Sequence, residues 1–256
     1  MKQIPESVIE VRNLNLSYDD YVVMNNLNFR ILKGDIFIIM GASGCGKSTL
    51  LKSLIGLKAP AKGEVFYGGK NFWREDESVQ KDLMRRFGVL YQSGALWSSL
   101  TIGENIALPL ELYSGLSASQ IQDVVELKLA LVGLSGYSQF YPSEISGGMR
   151  KRAGLARAIA LDPDIIFFDE PSAGLDPVNA RMLDDLILQL RDTLGATFVV
   201  VTHELASIFA IGSNSVFLDA NSKTIAAEGS PKYLLANSSN PCVIEFLTRG
   251  EKQGGE

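Results

Sequence analysis

A glycine-rich segment, GASGCGKST at residues 41–49, is the first stretch whose residue types could do chemistry. It matches G-x-x-x-x-G-K-[ST] and lies between an apolar run, IFIIM, and a segment with helical spacing, KSTLLKSLIGL. Glycines let the backbone curl so that its N–H groups surround phosphate oxygens, while a lysine reaches the terminal phosphates and a hydroxyl ligates Mg²⁺. The predicted phosphate-binding residues are Gly41, Ala42, Ser43, Gly44, Cys45, Gly46, Lys47, Ser48 and Thr49, with Ser48 as the Mg²⁺ ligand.

Two carboxylates end a second apolar run, IIFFDEP at residues 165–171. Charge at the end of a buried strand is costly unless it is used. Asp169 can hold the water shell of Mg²⁺, and Glu170 can accept a proton from an attacking water. Together with the phosphate loop, the pair predicts hydrolysis of a nucleotide.

Three further side chains stand near the ends of predicted strands. His203, the only histidine, follows the apolar run TFVVVT, where α/β sheets bind ligands. It could contact a γ-phosphate, or it could be structural. Gln92 could ligate Mg²⁺ through its amide oxygen, although a glutamine in a loop means little alone. The ring of Tyr18 could stack on a base or pack on the core.

A second anion cradle is predicted at Ser146, Gly147 and Gly148, in the stretch SEISGGMRKRAGLARA. A Ser-Gly-Gly turn at a helix start presents backbone N–H groups, and the helix dipole favours negative charge there. The residues alone do not explain why one chain would carry two such cradles.

Alternating strand-like and helix-like segments surround these motifs. Residues 8–18 and 25–31 alternate in polarity, which predicts half-buried strands, and 63–72 resembles a short hairpin. The apolar runs in 35–41, 164–170 and 197–204 predict strands buried on both faces. Because such strands alternate with helical segments, the sequence predicts a parallel α/β sheet.

Two helices carry clear start signals. Ser117 with Gln120 forms a capping-box pattern in the largely helical stretch 93–150. Asp176 can cap a helix whose first turn accepts Pro177 and which ends at Gly195. Its apolar stripe consists of Leu183, Leu186, Ile187, Leu190 and Leu194.

Composition narrows the class of protein. The 256 residues are 46% hydrophobic and 21% charged, with a net charge of −5 that argues against a nucleic-acid-binding surface. Cys45 and Cys242 make no disulfide framework. The N-terminus lacks the apolar region of a signal peptide, and no apolar run approaches the ~18 residues of a membrane span.

In order and spacing, the motifs resemble those of ABC transporter ATPase subunits. Tyr18, GASGCGKST, Gln92, SEISGGMRKR, IIFFDEPSAGLDP and His203 look like the A-loop, Walker A, Q-loop, signature, Walker B with D-loop, and H-loop. The resemblance covers about residues 8–230. It implies an α/β fold: a P-loop NTPase core of the RecA-like type with a parallel sheet, an N-terminal antiparallel β subdomain and an inserted α-helical subdomain.

The resemblance also implies how the two cradles are used. Two copies would pack head to tail, with each ATP between Walker A of one copy and the signature turn of the other. Ser146, Gly147 and Gly148 would contact the γ-phosphate in trans, and Asp176 would couple the two sites. The implied roles of the other residues are general base for Glu170, γ-phosphate contact for His203, Mg²⁺ ligand for Gln92, water-mediated Mg²⁺ contact for Asp169, and adenine stacking for Tyr18.

Domain boundaries follow from the same resemblance. We expect one ABC ATPase domain over 1–256, with 1–92 and 151–230 as the nucleotide-binding core and 93–150 as the helical subdomain. Residues 231–256 would be a short C-terminal tail.

A narrower resemblance is to the ATPases that serve Mla/Mce-type lipid transporters. It is carried by Met149, where glutamine is commoner, and by QSGALW, ALPL and the tail NPCVIEFLTRGEKQGGE, which lacks that group's glycine-proline ending. It implies a homodimer bound to an integral membrane permease and an MCE-domain lipid-binding protein, on the cytoplasmic face of the bacterial inner membrane. The alternatives are an ABC ATPase for lipoprotein release or a small solute, and a soluble non-transport ABC protein.

Met149 and the segment after Gln92 are expected to serve the permease and not the ATP chemistry. A methionine cannot replace the hydrogen bonds of a glutamine amide, but it packs well in irregular apolar gaps. We therefore expect Met149 to pack on the helical segment. Leu96, Trp97 and Leu100 are the candidate contacts in a groove that receives a permease helix.

Overall fold

A computed structural model describes residues 6–249 of the chain. Its strands are β1 (Ser7–Tyr18), β2 (Tyr21–Leu32), β3 (Ile36–Met40), β4 (Lys62–Tyr67), β5 (Lys70–Asn71), β6 (Phe87–Leu90), β7 (Ile165–Asp169), β8 (Thr197–Val201), β9 (Asn214–Asp219) and β10 (Thr224–Glu228). Its α-helices are α1 (Lys47–Leu54), α2 (Glu77–Met84), α3 (Ile102–Tyr113), α4 (Ala118–Leu131), α5 (Gly147–Ala158), α6 (Pro177–Leu194), α7 (Leu205–Ile211), α8 (Pro231–Asn237) and α9 (Pro241–Leu247). These elements form two compact units, one from the residues up to Met84 with those from Thr197 onward, the other from Arg85–Ala196.

The first unit contains an antiparallel sheet of order β2-β1-β4-β5. It also contains parallel pairing of β3 with β8 on one side and β9 on the other, with β10 antiparallel to β9. Every residue of β3 and of β8 is buried, as expected for strands covered on both faces. The predicted parallel strands and the N-terminal antiparallel sheet are therefore confirmed.

The second unit pairs β6 with β7 in parallel and contains helices α3 to α6. Thr101 and Ser117 each form a complete capping box, at α3 and α4, which confirms the signal at Ser117. Asp176 caps α6 through the N–H groups of Val178 and Asn179, and α6 ends at Gly195 with φ 64°. The α/β class is confirmed, while the domain boundaries drawn from the sequence stay a prediction.

The predicted tail begins with two short helices, α8 and α9, and its last residues, 250–256, lie outside the described residues. No helix within residues 6–249 combines the length and apolar character that a membrane span requires.

Candidate nucleotide site

The phosphate loop follows β3 directly and leads into α1. Gly41 has φ 149°, and a Cβ there would lie 2.4 Å from the carbonyl oxygen of Leu218, so that only glycine fits. Gly46 has φ 103° and is the N-cap of α1. The loop therefore delivers the first turn of a helix, with its positive dipole end, to the carboxyl edge of the parallel strands.

Lys47 is 6% exposed and lies folded back over the loop that precedes it. Its ammonium donates to the carbonyl oxygens of Gly41 at 2.9 Å and Ala42 at 3.0 Å. Cys45 is buried beside it, and burial raises the pKa of its thiol although the Lys47 charge opposes that shift. Cys45 is thus a small, protonated filler of the loop, whereas Ser48 is exposed at the start of α1.

His203 lies at the same sheet edge as the phosphate loop. Ile39 of β3 is paired with Val201 of β8, and His203 comes two residues after the end of β8. Its side chain is 49% exposed, with Nε2 3.7 Å from the carboxylate of Glu204. The position fits a ligand contact, since an exposed ring at this edge does not serve the core.

Tyr18 ends β1 and is 46% exposed, so its side chain is accessible to a ligand. The ammonium of Lys58 lies 3.9 Å from the centroid of the Tyr18 ring. A tyrosine face that already attracts a cation is an electron-rich platform of the kind on which a base can stack.

In the second unit, Asp169 and Gln92 follow neighbouring parallel strands. Leu90 is paired with Phe168, Asp169 is the last residue of β7, and Gln92 lies exposed two residues past β6. Tyr91, the residue before Gln92, is half-buried. Burial raises the pKa of its hydroxyl, and the charge of Asp169 raises it further.

Glu170 has φ 50°, a left-handed conformation that a non-glycine residue adopts only when its surroundings impose it. Its carbonyl oxygen accepts from the N–H of Ala173 at 3.2 Å, which starts the loop of residues 170–176. The loop ends at Asp176, whose carboxylate accepts from the side chain of Asn179 at 2.5 Å and from two backbone N–H groups. The first of these bonds is the main reason that the pKa of Asp176 is lowered, and the residue stays ionised.

The signature turn opens α5. Ser146 is its N-cap, and its hydroxyl oxygen accepts from the N–H of Met149 at 3.2 Å. Ser146 and Gly147 are exposed, and Gly148 and Met149 are half-buried. This half-buried position does not test the expected packing of Met149 on the helical segment, which stays a prediction.

An apolar groove of about 460 Å³ lies in the second unit. Residues that line it include Tyr91, Trp97, Leu108, Leu112, Tyr113 and Arg157. Of the three groove contacts expected from the sequence, Trp97 lines it and is 60% exposed. Leu96 and Leu100 are half-buried and are not among the lining residues of this groove, so their role as permease contacts stays a prediction.

Three polar residues near these motifs, of which Asn105 and Lys151 are buried and Arg157 is half-buried, were not expected from the sequence. Asn105, 0% exposed, bonds the segment 97–101 through its side chain. Lys151 and Arg157 on α5 donate to backbone carbonyls of the 170–176 loop and of the loop after Gln92. An amide directly before the apolar run IALPL, at Asn105, is the signal that could have revealed the first.

The oxygen donors of these motifs fit Mg²⁺. The hydroxyl of Ser48, the carboxylate of Asp169 and the amide of Gln92 are hard ligands, and Mg²⁺ in nucleotide sites takes one or two carboxylates plus substrate phosphates. Residues 6–249 contain no cluster of three or more His, Cys, Asp or Glu that could hold a metal ion.

A glycine-rich loop on a parallel strand, an acidic β7 end and a separate Ser-Gly-Gly helix start define a P-loop nucleotide-binding protein of the cassette type. The family model described as ABC transporter matches residues 24–173. The intermembrane phospholipid transport system ATP-binding protein MlaF of Haemophilus influenzae is 41% identical over 97% of this chain and 93% of its own length. The chain belongs to the ABC transporter family.

Two further comparisons place it within that family. The probable ribonucleotide transport ATP-binding protein mkl of Mycobacterium tuberculosis is 40% identical over 93% of this chain and 66% of its own length. The ATP-binding cassette MJ0796, solved as a dimer in a post-hydrolysis state with ADP and Pi, is 29% identical with a TM-score of 0.78. That match covers 86% of this chain and 97% of the cassette.

Proposed function

We propose that the chain is the ATP-hydrolysing subunit of an ABC transporter that moves phospholipid. The observation that carries the ATPase part is the loop of residues 41–49, with Lys47 folded over it and α1 beginning at Gly46, in a chain of this family. The MlaF relative, similar over nearly the whole chain, supports the phospholipid part.

The chemistry assigns a role to each motif. Backbone N–H groups of the loop and Lys47 bind the phosphates, and Tyr18 stacks on the adenine. Glu170 takes the proton of the attacking water, while His203 and Gln92 contact the γ-phosphate. Ser48 and Gln92, with Asp169 acting through water, would hold Mg²⁺, which would supply neutralisation of the developing phosphate charge.

Two copies form the working unit in this proposal. Ser146, Gly147 and Gly148 of each copy complete the site that begins at the other copy's phosphate loop, and Asp176 joins the two sites. The dimeric state of the MJ0796 cassette supports this arrangement. ATP binding closes the dimer and hydrolysis reopens it.

The partners follow from the lipid assignment. A permease in the bacterial inner membrane would seat a cytoplasmic helix in the groove beside Trp97, and an MCE-domain protein would carry the lipid. The groove is apolar, and Trp97, which lines it, follows Gln92 closely in the sequence. This supports a route by which a permease helix in the groove is coupled to the γ-phosphate contacted by Gln92. The chain would then sit on the cytoplasmic face of the membrane, with no nucleic-acid partner.

A second candidate is an ABC ATPase for a small solute, which the name of the mkl relative favours. A lipoprotein-release system or a soluble non-transport protein of the family would use the same ATP chemistry. Purification of the chain from membranes, followed by identification of its partners and bound lipids, separates these. Recovery with a permease and phospholipid supports the proposal, and recovery without membrane partners contradicts it.

Glu170→Gln tests the ATPase mechanism. The amide keeps the side-chain shape but removes the base, so turnover should fall by roughly 10²–10⁴-fold while ATP binding persists. With ATP, gel filtration should show a trapped dimer. Glu126→Gln, an exposed carboxylate on α4, is the matched control and should keep the wild-type rate. Wild-type turnover in Glu170→Gln would remove Glu170 from its role.

A further inference from the structure

A row of residues three apart along α5 contacts each loop that carries a proposed site residue in the second unit. The row consists of Gly148, Lys151, Gly154 and Arg157. Residues three apart are neighbours on a helix surface, and at about 100° per residue the row winds roughly half a turn around α5. We call it the α5 seam. Each of its members contacts a segment that is distant in sequence.

At its first position the seam meets the start of α6. A Cβ on Gly148 would lie 2.9 Å from Oδ1 of Asn179. The same asparagine donates from Nδ2 to Asp176 at 2.5 Å. The signature turn and the cap of α6 are therefore packed with no room between them.

At its last positions the seam meets the loop after Gln92. A Cβ on Gly154 would lie 2.9 Å from the carbonyl oxygen of Gly94. Arg157 donates to the carbonyl oxygens of Gly94 at 3.1 Å and Ala95 at 2.8 Å. Ala95 has φ 49°, so these bonds hold a loop whose backbone is unfavourable for a non-glycine residue.

Lys151, in the middle of the seam, reaches the loop of residues 170–176. It is 7% exposed, and its ammonium donates to the carbonyl oxygens of Pro171 at 2.6 Å and Ala173 at 2.5 Å. Burial lowers its pKa, and the charge of Glu170 opposes that shift, so the ammonium is within electrostatic reach of the proposed base. The two acceptors lie between Glu170 and Asp176 in sequence.

We propose that Lys151 is a positioning residue that fixes the 170–176 loop to the signature helix of the same chain. The inference rests on the proposed ATPase function. In that function, Glu170 acts on the ATP of its own subunit, whereas Ser146 at the start of α5 acts on the partner's ATP. Lys151 thus links the general base, which acts at one ATP site, rigidly to the signature turn, which acts at the other ATP site.

The expected defect is in turnover and not in nucleotide affinity. Without the ammonium, two carbonyls of the loop lose a charged donor, and Glu170 and Asp176 lose their common support. Because displacement of a catalytic group by about 1 Å can cost on the order of 10²-fold, kcat of Lys151→Met should fall by about 10–100-fold. KM for ATP should stay within about threefold, since Lys47 and its loop belong to other segments of the chain.

Lys128→Met is the matched control. Lys128 is 2% exposed on α4 in the same unit and pairs with Asp162, which lies outside the 170–176 loop. Both variants remove a buried, bonded ammonium, so both should lower the melting temperature. Only Lys151→Met should lower kcat per folded molecule.

The test compares the full-length variants by steady-state ATPase kinetics, binding of a fluorescent ATP analogue, and thermal unfolding. Lys151→Gln is the third variant, because its amide is shorter and can keep one bond. Its kcat should lie between those of the wild type and Lys151→Met. If Lys151→Met does not fold, a fall in the kcat of Lys151→Gln at constant KM supports the proposal.

The outcomes separate this inference from the function on which it rests. A wild-type protein without ATPase activity would overturn the proposed function. Wild-type kcat in the Lys151 variants, or a loss equal to that of Lys128→Met, would overturn only the positioning role. A parallel loss of ATP binding and kcat would also contradict it, because it would show that the folded fraction had fallen.

Discussion

The segment beside the groove depends on one buried side chain, Asn105, and its removal makes a quantitative prediction. Asn105 Oδ1 accepts from the N–H of Trp97 at 2.8 Å. Its Nδ2 donates to the carbonyl oxygens of Trp97, Leu100 and Thr101 at 3.0, 3.2 and 2.9 Å. Asn105→Ala removes all four bonds.

The loss of stability in Asn105→Ala can be estimated from the hydrogen bonds that the backbone groups keep. The oxygen of Thr101 also accepts from the N–H of Asn105, and the oxygen of Trp97 accepts from the N–H of Leu100, so both keep a partner. The N–H of Trp97 and the oxygen of Leu100 must find new partners, at about 1–2 kcal/mol each. The free energy of unfolding should fall by about 2–4 kcal/mol, which lowers the melting temperature by about 4–16 °C in a chain of this size.

Asn105→Asp is the control that separates hydrogen bonding from packing. The carboxylate keeps the volume and the bond from the N–H of Trp97, but it places negative charge against three carbonyl oxygens. Asn105→Asp should lower the free energy of unfolding at least as much as Asn105→Ala does.

The assays are thermal unfolding and the ATPase activity of the isolated subunit and of its permease complex. Both variants should lose stimulation by the permease and keep basal turnover per folded molecule. A cost below about 0.5 kcal/mol for Ala, or a stable Asp variant, would refute the reasoning.

The remaining predictions concern the composite site and the groove. Ser146→Arg should abolish hydrolysis yet leave ATP binding by the monomer nearly intact, because in the proposed dimer the serine serves the opposite subunit; monomer binding as weak as that of Lys47→Ala would contradict the trans arrangement. Trp97→Glu should keep ATP binding but lose lipid transfer in the reconstituted complex, since a charge would enter the apolar groove; normal transfer would remove Trp97 from the coupling surface. Met149→Gln should keep basal ATPase activity within about threefold of wild type, because the side chain is expected to pack and not to contact phosphate; a collapse of hydrolysis would show the opposite.

The sequence predicted the elements whose signal is local. The phosphate loop, the buried runs of β3, β7 and β8, and the caps at Ser117 and Asp176 are set by residues within a few positions of one another. The strands β9 and β10 were not predicted. In β10 every residue is half-buried or exposed, so TIAAE shows neither alternation nor a continuous apolar run.

The side-chain contacts that support the site could not be predicted from the sequence, for a different reason. Lys151 bonds to carbonyls 20 and 22 residues away, and Arg157 to carbonyls 62 and 63 residues away. Backbone carbonyls exist at every position, so no residue type in the sequence marks the acceptor. The positive φ of Glu170 is equally hidden, because it results from the turn that follows and not from a preference of glutamate.

The two anion cradles differ in how their helices begin, and this difference bears on the order of events. The N-cap of α1 is Gly46, which has no side chain to offer the N–H groups of the first turn. The N-cap of α5 is Ser146, whose own hydroxyl oxygen accepts from the N–H of Met149. A phosphate at α1 therefore adds hydrogen bonds that the N-cap does not supply, whereas one at α5 meets a turn that is partly satisfied already. Physical chemistry thus favours ATP binding to the phosphate loop first. In the proposed dimer, the signature turn then contributes only when a second subunit brings it to a nucleotide that is already held.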